Sequence, residues 1–232
     1  MQIIIAGCDE AGRGAVLGPL VVGFASISKS KEKQLSSIGV RDSKLLTRRK
    51  REFLYDEISS IAEEVKAYQI KPEEINKAMR ANISLNELEA IYFARMVDEA
   101  ENVEKVFVDS PDVIQEKFGI RISLLSKKPM KVDGIKSAVK KGGIKIVSEH
   151  KADVKYPIVS AASIIAKVVR DREMDKLSDS LGIDLGSGYP SDRTTIDAIR
   201  ANLTNAKLAE HIREKWKTLS VIRQMRMTEF FK

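Results

Sequence analysis

Three apolar runs of strand character each give way to acidic residues, and no other feature of the sequence restricts the fold as strongly. Gln2 to Cys8 leads into Asp9 and Glu10, Val106-Phe107-Val108 into Asp109, and Ile144 to Ser148 into Glu149, with Asp153 just beyond. Short runs rich in β-branched residues and bounded by turn formers read as buried strands. Leu20 to Ile27 and Val65 to Ile70 read the same way, and the short connection after the first strand predicts that the first two pair antiparallel.

Segments of helical spacing fall between these strands. Thr47 to Ile61 places Phe53, Leu54, Ile58 and Ile61 on one face, and Ser84 with Glu87 forms a capping box ahead of a helix that turns Leu85, Leu88, Ile91, Tyr92 and Met96 inward. Pro111 is expected to open a short helix. Ser160 to Leu177 predicts a long one whose small residues Ser160, Ala161, Ala162 and Ser163 permit close packing. The alternation predicts an α/β fold with a mixed sheet flanked by helices. Beyond Asp179 no strand pattern remains, only Gly/Ser-rich turns near 186–188 and helical segments at Thr194 to Ala201 and Lys207 to Trp216. The expected division is a catalytic domain over 1–178, a C-terminal helical extension over 179–222 and a tail over 223–232.

Carboxylates gathered at one sheet edge repel each other unless a cation lies among them. Hard oxygen donors without neighbouring His or Cys suit Mg²⁺ or Mn²⁺ rather than zinc. Side chains alternate along a strand, so Asp9 and Glu10 share a site only if the strand stops at Asp9 and the turn at Ala11-Gly12 re-aims Glu10. Asp112, expected in the first turn of a helix, suits an interaction with the helix dipole and is left out of the cluster. Glu149, still on its strand, is left out as well. Gly12 and Gly14 let a ligand approach the backbone closely, and Arg13 between them can pair with phosphate.

The 232 residues carry 40 Lys and Arg against 33 Asp and Glu, a net charge of +7 that favours a polyanionic partner. Part of that excess lies in the Lys-rich stretch 127–145. The lone cysteine, Cys8, makes no intrachain disulfide and reads as a small buried hydrophobe. The start of the chain lacks the pattern of a secretion signal, no apolar stretch nears the roughly 20 residues of a membrane helix, and a cytoplasmic monomer is expected. Neither histidine, His150 or His211, compels a role.

Six ordered motifs extend this reading: D-E-A-G-R-G-x-x-x-G-P at Asp9 to Pro19, D-S-K-L at Asp42 to Leu45, V-D-S-P at Val108 to Pro111, H-K-A-D at His150 to Asp153, S-A-A-S-I-I-A-K at Ser160 to Lys167, and G-S-G-Y-P-S-D at Gly186 to Asp192. Over residues 3–192 the chain resembles the type 2 ribonucleases H, the ribonuclease HII family, and most closely its archaeal members. The resemblance implies a ribonuclease H-like mixed sheet and an endonuclease that cuts RNA paired with DNA and ribonucleotides embedded in duplex DNA, as in the removal of primers and misincorporated ribonucleotides. It places the metal-binding, catalytic acids at Asp9, Glu10, Asp109 and Asp153, with two divalent ions per site and products ending in 5′-phosphate and 3′-hydroxyl. It assigns sensing of the ribose 2′-OH to Gly12, Arg13 and Gly14, packing on the sugar to Tyr189, and contacts to the nucleic-acid backbone to Ser43 and Lys44.

Gln224, Met227, Phe230 and Phe231 fit the pattern Q-x-x-Φ-x-x-F-F of peptides that dock on the sliding clamp PCNA, which makes the clamp an expected partner. Two other readings are open: a nucleic-acid-binding module without chemistry, and a different carboxylate-metal nuclease of resolvase type. The intact acids argue against the first, and the G-R-G and G-S-G-Y motifs against the second.

Overall fold

The computed structural model describes residues 2–40, 46–135 and 143–230. Six strands form one sheet in the order β3-β2-β1-β4-β6-β5, where β1 is Ile4–Ala11, β2 Leu20–Ser28, β3 Glu64–Ile70, β4 Val103–Asp109, β5 Met130–Val132 and β6 Ile144–Glu149. β1 pairs parallel with β4, β4 with β6, and β6 with β5. The other end of the sheet is antiparallel: Lys29, just past β2, donates its N–H to Ile3 at the start of β1, and Glu63, just before β3, donates to Ser26 near the end of β2. The sheet is therefore mixed, and β1, β4 and β6 all end at the same edge.

The helices are α1 (Glu32–Ser37), α2 (Arg48–Ile61), α3 (Pro72–Arg80), α4 (Leu85–Glu99), α5 (Gln115–Leu125), α6 (Ala152–Lys155), α7 (Pro157–Leu181), α8 (Arg193–Ala201), α9 (Ala206–Ala209) and α10 (Lys217–Phe230). Thr47 caps α2, its hydroxyl accepting from the Lys50 N–H at 3.3 Å. Leu54, Ile58 and Ile61 follow at i, i+4 and i+7 and are buried, each contributing about 1.5–3 kcal/mol. Phe53 was expected beside them but lies one position off the stripe, is 53% exposed, and takes the Lys50 ammonium over its ring. Ile91 of α4 is likewise exposed, and Phe93 fills the inward position.

The described chain divides into two compact units. The first comprises the residues up to Ala11, Val22–Tyr68 and Asn86–Val168, and its core includes Ile27, Leu54, Ile58, Phe107, Val147, Ile158 and Ile165. Glycines on adjacent strands let α7 lie very close to the sheet. A Cβ on Gly7 would stand 2.4 Å from the Ile158 carbonyl oxygen, and one on Gly23 would stand 2.3 Å from that of Ala162. The small residues at the start of the long helix thus serve the close packing expected of them.

The second unit comprises Gly12–Val21, Gln69–Leu85 and the chain from Val169 onward, with Leu17, Met174, Leu185, Ile199, Leu208, Ile212 and Leu219 in its core. Among its described residues past Asp179 the only strand-like pairing is a single antiparallel bridge between Leu17 and Ile212. The helix expected over Lys207 to Trp216 is instead the short α9 followed by turns, with Asn205 capping α9 and a new helix starting at Lys217. β5 and α3 had no counterpart in the sequence reading. The three residues of β5 are too few to show a period.

Candidate active site

Parallel pairing brings the ends of β1, β4 and β6 to one carboxyl edge, the place where ligands gather in open α/β sheets. Cys8 lies opposite Val108 in the β1·β4 register, so Asp9 and Asp109 come next on neighbouring strands about 4.8 Å apart. Asp9 is 4% exposed. Burial, reinforced by the charge of Asp109, pushes its carboxyl up to about 6, although the Lys167 ammonium, a hydrogen bond from Ser163 and one from the Glu10 N–H at 2.8 Å oppose the rise. Lys167 Nζ donates to Ser163 Oγ at 2.6 Å, so the two residues, one helical turn apart on α7, hold Asp9 from a single face.

Asp153 reaches the same edge through a reversal. Lys151 adopts a left-handed conformation (φ 56°) just after β6, and α6 then starts so that the Ala152 N–H donates to Asp109 Oδ1 at 2.7 Å. This places Asp153 one residue from a direct ligand of Asp109, and its side chain is buried at 4% exposure. Asp9, Asp109 and Asp153 therefore belong to one neighbourhood of the first unit.

Glu10 departs from expectation. β1 does not stop at Asp9 but runs on to Ala11, so the strand end expected between Asp9 and the turn at Ala11-Gly12 is absent. Among the described residues, no three His, Cys, Asp or Glu side chains draw together into a group able to hold a metal ion. The donor set still suits a hard divalent cation. It consists of carboxylate oxygens, two of them on adjacent strands with one buried and raised by its neighbour's charge, and a bound cation relieves that repulsion.

The acids left out of the cluster have other partners. Glu149 lies opposite Asp109 in register, but Lys155 Nζ donates to it at 2.6 Å and Tyr156 Oη at 2.9 Å, which together hold its carboxyl below the usual range. Asp112 precedes α5 rather than opening a helix at Pro111, and it accepts from Asn86 and from Arg121 Nε. The helix-dipole account of Asp112 is replaced by an ion pair. His150 is turned toward the Asp112 carbonyl, 2.7 Å from its Nε2, and the Cys8 thiol is buried and pushed up by burial.

The G-R-G residues form a turn in the second unit, closed by the Ala15 N–H donating to Gly12 O at 3.1 Å. Gly12 sits at φ 87°, and a Cβ there would meet Arg170 Nε at 2.2 Å. Tyr189 joins this turn: its hydroxyl accepts from the Gly12 N–H at 3.0 Å, its ring edge lies within van der Waals reach of Gly14, and the Arg170 guanidinium stacks 4.7 Å from its centroid. Arg13 is half-buried and Gly14 exposed. Ser43 and Lys44 lie outside the described residues, as does Phe231. Gln224 is exposed on α10, whose backbone continues through Met227 and Phe230.

A family model described as Ribonuclease HII matches residues 6–219. The chain belongs to the ribonuclease HII family. A ribonuclease HII of Archaeoglobus fulgidus is 38% identical over 225 residues, covering 97% of this chain and 99% of that one. The crystal structure of the ribonuclease H2 from Pyrococcus horikoshii OT3 superposes with a TM-score of 0.81 at 38% identity, covering 96% and 98% of the two chains. The ribonuclease HII in a PCNA complex from Archaeoglobus fulgidus superposes at 0.79 with 36% identity, covering 93% and 96%. As a ribonuclease HII, the chain is an endonuclease acting on RNA/DNA hybrids.

Several residues at these sites were not read as such from the sequence. Ser163 and Lys167 carry a signal, since i and i+4 share a helix face, but nothing in the sequence ties that face to Asp9. Arg170 gave only its place three residues further along the same helix.

Proposed function

We propose that Asp9, Glu10, Asp109 and Asp153 hold the divalent cations of a phosphodiester hydrolase, and that the Gly12–Ala15 turn with Tyr189 selects the ribonucleotide. The observation that carries this reading is the buried, charge-raised Asp9 beside Asp109 at the shared end of two parallel strands. When bound, a pair of Mg²⁺ or Mn²⁺ ions activates a water and stabilises the leaving 3′ oxygen. The chain needs no nucleophile of its own, and the ribose 2′-OH is recognised rather than consumed.

The protein's part is to place charge and exclude alternatives. Ser163 and Lys167 fix the orientation of Asp9, and the Lys167 ammonium offsets part of its charge in the metal-free protein. Glu10, the next residue along β1, would join the other acids in holding the ions. The chain enters the ribose-sensing turn two residues after Glu10. There the Tyr189 ring offers an apolar face to a sugar and its hydroxyl tethers the turn. Ser43 and Lys44 are assigned to the flanking phosphates. The last turns of α10 and the residues after it, with Gln224, Met227, Phe230 and Phe231, are assigned to a sliding clamp of PCNA type, the partner found with the Archaeoglobus relative.

Cleavage of a DNA duplex carrying one ribonucleotide, compared with all-DNA and all-RNA duplexes in Mg²⁺ or Mn²⁺, tests the reading. Cleavage is expected beside the ribonucleotide with 5′-phosphate and 3′-hydroxyl ends, and Asp9→Asn should lower it by at least about 10³-fold. Full activity of that variant would remove Asp9 from the site.

A further inference from the structure

We infer that Arg213, 200 residues away in the sequence, is a positioning residue that aims the ribose-sensing turn; this rests on the reading of the turn given above. Arg213 is fully buried and donates to both ends of the loop that carries G-R-G. Its Nη1 bonds Arg13 O at 3.1 Å, and its Nε and Nη2 bond Gly18 O at 3.1 and 3.0 Å. The segment around it is bound to the same loop: the Arg213 N–H donates to Val16 O at 2.9 Å, the Gly18 N–H donates to His211 O at 2.9 Å, and Ile212 bridges Leu17. Trp216 covers the guanidinium from 5.1 Å.

The bond to Arg13 O has a directional effect. That carbonyl shares one planar trans peptide unit with the Gly14 N–H, and in such a unit C=O and N–H point to opposite sides. Drawing the Arg13 oxygen toward Arg213 turns the Gly14 N–H the other way. Gly14 is exposed, its N–H donates to no group among the described residues, and the Tyr189 ring lies 3.8 Å from the place a Cβ would take. A donor so placed, beside an aromatic face, suits a ribose hydroxyl oxygen, which accepts where a deoxyribose carbon cannot. The planar fork of arginine is needed because one group must reach two carbonyls at set angles, which an ammonium cannot reproduce.

Steady-state cleavage of a duplex with one ribonucleotide, with the all-DNA duplex of the same sequence as competitive inhibitor, tests the role in the full chain. For Arg213→Met, KM for the ribonucleotide duplex should rise about tenfold, the loss of one well-aimed hydrogen bond, while Ki of the all-DNA duplex stays within about twofold. Arg213→Lys should restore part of the loss, and it carries the test if the Met variant does not fold. A purely structural residue would lower the active fraction and hence Vmax, leaving KM and the ratio of Ki to KM unchanged, and that result overturns the inference. If the unaltered protein already shows equal KM and Ki, the turn is no ribose sensor and the earlier reading fails instead.

Discussion

At Asp9, burial outweighs the nearby ammonium, and the direction of that imbalance sets a pH dependence. A carboxyl raised to about 6 from its usual 3.8 contributes stability below about pH 4 and loses it as pH rises through about 6. In the metal-free protein at pH 8 the ionised Asp9 costs up to about 3 kcal/mol. Asp9→Asn, uncharged throughout, should therefore melt several degrees above the unaltered protein in EDTA at pH 8, and the gap should close by pH 4. A melting temperature lowered at pH 8 would mean that Lys167 and Ser163 outweigh the burial. Glu149 shows the opposite balance two strands away, where a lysine and a tyrosine lower its carboxyl and occupy both its oxygens.

Among the elements, β1, β2 and α7 set how closely helix and sheet approach beside Asp9. The backbone of α7 fills the space above Gly7 and Gly23, and the same helix delivers Ser163 and Lys167 to Asp9. Any side chain at Gly23 must push α7 away from the strands. Gly23→Val should cost about 1–3 kcal/mol in urea unfolding and lower kcat more than KM, since it shifts the residues that hold Asp9. A variant of unchanged stability would show that α7 has slack the contact distances deny. Strand ends behave differently from strand interiors here: β1 ran two residues past the point at which its acids suggested a stop, because pairing depends on the neighbouring strand.

For the whole molecule, the acids proposed for chemistry and the tail proposed for clamp docking lie in distant parts of the sequence. Among the described residues, no helix is long and apolar enough to cross a membrane. Removing residues 224–232 should reduce affinity for a PCNA-type clamp by at least about 100-fold, read by calorimetry, while cleavage in the absence of clamp stays within about twofold. Undiminished clamp binding would move the docking surface elsewhere. The truncation spares Leu219 and Ile222, both buried in the second unit, so the shortened α10 keeps its anchorage.

What could be read from the sequence was local. Apolar runs followed by acids announced β1, β4 and β6, Asp109 stood at the strand end where it was expected, and small residues at the start of α7 announced close packing; each of these depends on a few neighbouring residues and the period of one element. Tertiary structure decided which acids meet. Register set Asp109 beside both Asp9 and Glu149, yet only the side chains of Lys155 and Tyr156 tied up Glu149, and β1 ran on through Glu10 to Ala11. The hold of Arg213 on the G-R-G turn gave no sign in advance, because the guanidinium bonds to Arg13 O and Gly18 O go to backbone carbonyls, which every residue carries alike, across 200 and 195 positions of chain.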